Sequence, residues 1–95
     1  MKYIGFWEFC PEYMDKVIAK NLKFKEEREK NPEKYTKVLF PAHNMGRCKG
    51  FTVVEASDSV QLMNTTLFWF PEMNLEYLPI YETAEMTKLY QKSKE

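Results

Sequence analysis

The chain contains no apolar run approaching the roughly 18–20 residues that span a bilayer, so no membrane-crossing helix is expected. No signal-peptide architecture precedes Tyr3, and cytoplasmic residence is the expectation. An excess of one charge is also lacking: fourteen Lys and Arg balance fourteen Asp and Glu. That balance argues against nucleic acid as a partner, because its recognition leaves a basic footprint. Acidic substrates gain no bulk steering either. No CxxC spacing, P-loop, dinucleotide fingerprint or nucleophile elbow occurs, and no cofactor is expected. Histidine occurs once, at His43. Repeats, low-complexity segments and linkers are missing, and 95 residues suit a single domain spanning 1–95.

Large rings and apolar side chains are present in surplus. Some 44% of residues are apolar and 16% aromatic. A chain this short buries only about 60–65% of its unfolded surface, so association or a ligand cavity is needed to use them.

Tyr3-Ile4-Gly5-Phe6-Trp7-Glu8-Phe9 reads as a strand. Pro11 suits a first helical position, and Glu12 with Asp15 loads that turn with the negative charge a helix dipole favours. Met14, Val17, Ile18 and Leu22 recur at helical spacing, predicting a helix to about Glu29 before Asn31-Pro32 stops it. Lys37 to His43 is a second strand, placed at a sheet edge because Pro41 cannot donate to a ladder. After the turn at Asn44–Arg47 comes a third strand, Phe51 to Ala56. Asp58 and Gln61 have capping-box spacing; Val60, Met63, Leu67 and Phe70 then predict the inward stripe of a second helix, ended by Pro71. Leu75 to Glu82 is a fourth strand, and Thr83 opens a short terminal helix with Met86, Leu89 and Tyr90.

The order strand, helix, strand, strand, helix, strand is the α+β ferredoxin-like βαββαβ arrangement, with a four-stranded antiparallel sheet and a short C-terminal helix. Met1 to Phe9, Pro11-Glu12, Lys49 to Ala56 and Leu78-Pro79-Ile80-Tyr81-Glu82 resemble an uncharacterised family, a domain of unknown function, in the dimeric α/β-barrel superfamily. The resemblance implies a homodimer whose two sheets pack face to face into a barrel. Wider relatives of that fold include cofactor-independent and haem-degrading monooxygenases, small-molecule isomerases and stress proteins. Fold alone chooses none of them.

Two helices shelter one face of such a sheet, and the other face calls for a twin. The expected strand order is 4-1-3-2. If paired residue numbers in the first and third strands sum to about 58, Ile4 and Phe6 share a face with Thr52 and Val54. Tyr3, Trp7 and Phe9 then share the opposite face with Phe51 and Val53, and that Trp7 face is assigned to the helices. Both faces come out mainly apolar. Burying the open one against a second copy stabilises at about 25 cal/mol per Å².

Asn21 and Asn64 interrupt apolar helix stripes and are expected to point towards the sheet. A buried amide without partners costs about 1–3 kcal/mol, so each needs hydrogen bonds or a wet cavity; the blander reading puts both at an exposed rim. Trp7, Phe51, Trp69 and Tyr77 are candidate cavity walls, against the alternative of plain core. Some cofactor-free monooxygenases of this fold use an Asn and a Trp from the second helix with a nearby His or Tyr. Asn64 and Trp69 resemble that pair in type, but their spacing of five turns them to different helix faces. His43 ends the second strand and is the candidate acid or base, with Asn64 as stabiliser of an enolate-like anion. Arg47 and Lys49 near the turn have the charge to hold a carboxylate or phosphate, although turn residues are usually just solvated. Cys10, Cys48 and His43 converge at one sheet end in the assumed register and could in principle hold zinc; two ordinary buried or semi-buried cysteines are expected there and no metal. Glu8, Glu55 and Glu82 interrupt strands, but Glu8 and Glu55 fall on opposite faces and form no pair. The Lys/Glu-rich run from Lys23 to Lys34 reads as a solvated helix end.

The expectation is a homodimeric module binding a small apolar or aromatic molecule between sheet and helices. The ligand-binding residues would be Trp7, Asn21, Phe51, Asn64, Trp69 and Tyr77. An enzyme in the same cavity, a cofactor-independent monooxygenase or isomerase using His43 and Asn64, is the alternative. A structural or regulatory homodimer without a cavity is the third.

Overall fold

The computed structural model describes all 95 residues, Met1–Glu95. Strand β1 (Lys2–Phe9) leads through a single 3-10 turn at Pro11–Tyr13 into helix α1 (Met14–Lys30). Strands β2 (Lys37–Asn44) and β3 (Lys49–Glu55) form a hairpin, followed by α2 (Ser59–Trp69), β4 (Met73–Ile80) and α3 (Thr83–Ser93). The sheet order is β2-β3-β1-β4, and every neighbouring pair is antiparallel. This is the expected α+β, ferredoxin-like topology. No helix is long and apolar enough to cross a membrane.

Local chemistry accounts for the ends of these elements. Asp58 accepts the backbone N–H of Gln61 at 3.0 Å, and the Gln61 side chain accepts the N–H of Ser57 at 2.8 Å, a reciprocal cap for α2. Helix α1 carries Asp15 in its first turn and Arg28 and Lys30 in its last, each sign matched to the helix dipole. Asn31, which precedes Pro32, is its C-cap. Pro41 lies in edge strand β2, where the pairing with β3 slips twice, between Val38 and Phe40 and between Phe40 and His43. Such bulges accommodate a residue without a ladder donor.

One expectation about pairing is overturned. Residue numbers paired between β1 and β3 sum to 57, as in Tyr3 with Val54, Ile4 with Val53 and Phe6 with Phe51. A slip of one residue moves every β3 side chain to the other face. Phe51 and Val53 therefore join Ile4 and Phe6, while Thr52 and Val54 join Tyr3 and Trp7. The deciding residue is Gly50, which pairs with Trp7. A side chain at Gly50 would run into the Trp7 indole and the His43 carbonyl, so the ring occupies space that only glycine leaves. In the expected register Trp7 would have faced Phe51 instead.

The Trp7 face does lie against the helices. Phe9, Val17, Phe24, Tyr35, Trp69 and Met73 are buried together there, with Trp7, Tyr13, Met14, Cys48, Phe68 and Leu75 packed around them. Phe24 sits at the centre, its ring centroid 5.1 Å from Tyr35, 4.7 Å from Phe68 and 5.5 Å from Trp69. Edge-on and tilted ring pairs of this kind add to the burial energy.

Helix α2 presents a different side from the one its pattern suggests. Val60, Met63, Leu67 and Phe70 are 57–65% exposed. Thr65 and Trp69 are the buried positions. Thr65 Oγ1 accepts the backbone N–H of Thr36 at 3.3 Å and lies 3.4 Å from the Thr36 hydroxyl, and both threonines are almost fully buried. A hydrogen-bonded pair of small polar residues thus pins α2 to the start of β2, where apolar periodicity alone would rotate the helix.

Candidate functional site

Between the helix-covered face of the sheet and α1 lies a cleft of about 600 Å³. That falls within the roughly 300–1,000 Å³ of small-molecule sites. Its floor is made by alternate residues of the sheet: Trp7 from β1, Thr52 and Val54 from β3, and Leu75 and Tyr77 from β4. Alternation along each strand puts these on one side. Helix α1 supplies Val17, Asn21, Phe24 and Arg28 at spacings of four, three and four, the repeat that aligns side chains along one helix face. Thr65 and Trp69 of α2 close the far wall.

Four of the expected ligand-binding residues, Trp7, Asn21, Trp69 and Tyr77, line this cleft. The structure does not bring the other expected residues to it. Phe51 stands on the opposite sheet face, as the register requires, stacked with Phe40 at 5.9 Å and His43 at 6.0 Å. His43 is exposed on that same face, with Nδ1 2.7 Å from the Pro41 carbonyl oxygen. Asn64 donates its amide to the Lys34 carbonyl at 3.1 Å, tying the segment before β2 to α2. Neither His43 nor Asn64, the expected catalytic pair, faces the cleft. Cys10 and Cys48 are free thiols, exposed and half-buried respectively. Cys48 sits opposite Phe9, whose N–H donates to its carbonyl at 2.9 Å, so the direct Cys10–Cys48 pairing of the expected register is not formed.

Sequence reasoning missed the most polar element of the site. Arg28 continues the stripe of Val17, Asn21 and Phe24, but its place within a charged run disguised it as a solvated residue. Its guanidinium lies over the Phe24 ring, 4.5 Å from the centroid. Its Nε–H is buried and finds no acceptor in the chain, and the same holds for the indole N–H of Trp7. Burial lowers the guanidinium pKa, with Tyr77 pulling the other way, yet arginine remains charged in proteins. Burial also pushes the Tyr77 phenol up to about 12, against the pull of Arg28. Tyr77 is therefore a neutral hydroxyl at ordinary pH, suited to hydrogen bonding rather than to acting as a base. Its ring packs on Gly5, where an added side-chain carbon would lie 3.0 Å from the tyrosine ring.

Fold and cleft together define a ferredoxin-like α+β domain carrying one apolar, cation-lined recess on its helical side. The chain belongs to the family described as a domain of unknown function, DUF3303, whose model matches residues 1–94. No curated protein and no solved structure matches it.

Proposed function

We propose that this protein is a homodimeric module that holds a small apolar or aromatic molecule between its sheet and its helices. The observation that carries the reading is the 600 Å³ cleft walled by Trp7, Phe24, Trp69 and Tyr77. A recess with rings around it and a few convergent polar groups is the usual form of a ligand site. An enzyme in the same recess would need a base other than His43, which lies across the sheet.

Support for the second copy comes from the uncovered face. Ile4, Phe6, Phe51 and Val53 share it with Leu78 and Ile80, outside the helix-packed core, and Lys2, Glu8, Lys49, Glu55 and Glu76 flank them on the same face. Four strands of seven or eight residues give a face of roughly 500 Å² per protomer from strand spacing and rise. Two such faces bury about 1,000 Å², the lower limit for a specific interface. The remainder would come from α3, whose Met86, Leu89 and Tyr90 are 60–68% exposed. In this reading the two sheets close into the barrel that the family resemblance implies.

The expected outcome is a dimer by light scattering at about 50 μM, and a monomer for Phe51→Glu, because a charge in the centre of an apolar interface is strongly disfavoured. Phe51 lies outside the buried core, so the variant should retain the parent's far-UV circular dichroism. Native mass spectrometry of the parent should also reveal a co-purifying small molecule. A parent that stays monomeric and binds nothing would end the proposal.

A further inference from the structure

Resting on the ligand-binding reading, we propose that the occupant of the cleft is a small organic carboxylate, with an apolar or aromatic body against Trp7, Trp69 and Tyr77 and its anionic head on Arg28. The argument begins with charge. The whole chain is neutral, yet the residues lining the cleft include three cations, Lys25, Arg28 and Arg47, and no Asp or Glu. Lys25 and Arg47 are exposed and add only a screened attraction. Arg28 differs, because it is half-buried and makes no ion pair; the chain's one salt bridge joins Lys20 to Glu72.

A partly desolvated guanidinium without a carboxylate is costly, and its planar fork suits a bidentate carboxylate better than any neutral acceptor. The second buried donor is the Trp7 N–H, which also lacks an acceptor within the chain. Tyr77 contributes a neutral hydroxyl and Asn21 an amide. Every charged group of the lining is thus a donor, and the rest of the wall is largely apolar or aromatic. Such a surface selects a molecule with one acidic end. A cation would meet three like charges there, whereas a carboxylate would give the Arg28 guanidinium the ion pair it lacks within the chain.

The test uses two probes of the same shape, 3-phenylpropanoate and 3-phenylpropanamide, titrated into the full-length protein and followed by NMR and calorimetry. The acid should bind about tenfold or more tighter than the amide, moving the Trp7 indole N–H and Arg28 Nε–H resonances. Arg28→Met keeps an apolar stem over Phe24 and should abolish the preference, whereas Arg28→Lys should keep part of it. Trp7→Phe should weaken the acid while leaving the fold, judged by circular dichroism, intact. Equal affinity for both probes, unchanged in Arg28→Met, would overturn carboxylate recognition and leave the cleft standing as a binding site. Shifts confined to the Phe51 side of the sheet, or none at millimolar probe, would remove the cleft and the carboxylate together.

Discussion

Gly50 and Trp7 are a matched pair: one contributes the empty space, the other the ring that fills it. Because the indole lies where a side chain would start, Gly50→Ala should force the ring or the strand aside. Such overpacking costs about 1–3 kcal/mol, measurable as a lower urea midpoint with an unchanged m-value. The indole also floors the ligand cleft, so the same variant should broaden or shift the Trp7 N–H resonance. A midpoint equal to the parent's would mean that the ring is not held in this position. The pair also shows what could be read from the chain at this scale. Strand existence was legible from Tyr3 to Phe9 and from Phe51 to Ala56, but the register between them was not. Apolar residues occupy both faces, so hydrophobic alternation places no constraint on a slip. The glycine was the available signal, being the one β3 position that leaves room for an indole opposite.

At the scale of elements, caps and prolines were legible and helix rotation was not. Asp58 and Gln61 form the expected cap, and Pro41 lies in an edge strand as its chemistry demands. The inner side of α2 departs from its apolar pattern because Thr65 is held inward by hydrogen bonds to Thr36, whereas Val60, Met63 and Leu67 are left outside. Long-range polar contacts of this kind leave no periodic trace in the sequence. On α1, Arg28 lay in plain register with Val17, Asn21 and Phe24, and only the surrounding charges hid it. The two helices are further joined where Lys20 reaches the end of α2. Its ammonium donates to the carbonyls of Phe68 and Phe70, both at 3.0 Å, and to Glu72 at 2.6 Å. A cation satisfies the unpaired carbonyls of a helix C-terminus in this way.

The hydrogen bond from Lys20 holds the Glu72 carboxyl below the usual glutamate range, assisted by a backbone N–H. A depressed folded-state pKa means that the unfolded chain binds the proton first as pH falls. The contribution of Glu72 to stability is therefore complete above its unfolded value and is lost as pH drops through the folded one. Between about pH 5 and pH 3, Glu72→Gln should show a shallower fall in the urea midpoint than the parent. Identical pH profiles would show that the contact contributes nothing in solution, a common outcome for ion pairs near the surface.

At the scale of the whole molecule, the α+β topology and strand order were legible from the order of elements, and the extent of exposure was not. The chain measures 55 × 30 × 19 Å with a radius of gyration of 15.6 Å. A compact chain of 95 residues would have about 12 Å. Helix α3, with no buried residue and no substantial packing against any other element, is the least integrated part of that shape. A count of apolar residues pointed to a surplus, but only the three-dimensional arrangement shows where it lies, on the bare sheet face, along the outside of α2 and on this projecting helix.

The reach of that last helix has its own consequence. Eleven residues with no buried position are too few to stay wound in water unaided, since peptides shorter than about 12–15 residues are marginal even with good formers. Its coil-to-helix balance should therefore report on the company the chain keeps. In Phe51→Glu, amide deuteration from Thr83 to Ser93 should finish within seconds while β1 remains protected for far longer; in the parent the tail should exchange measurably more slowly. Equal tail exchange in both would mean that the arm gains no shelter from a neighbour.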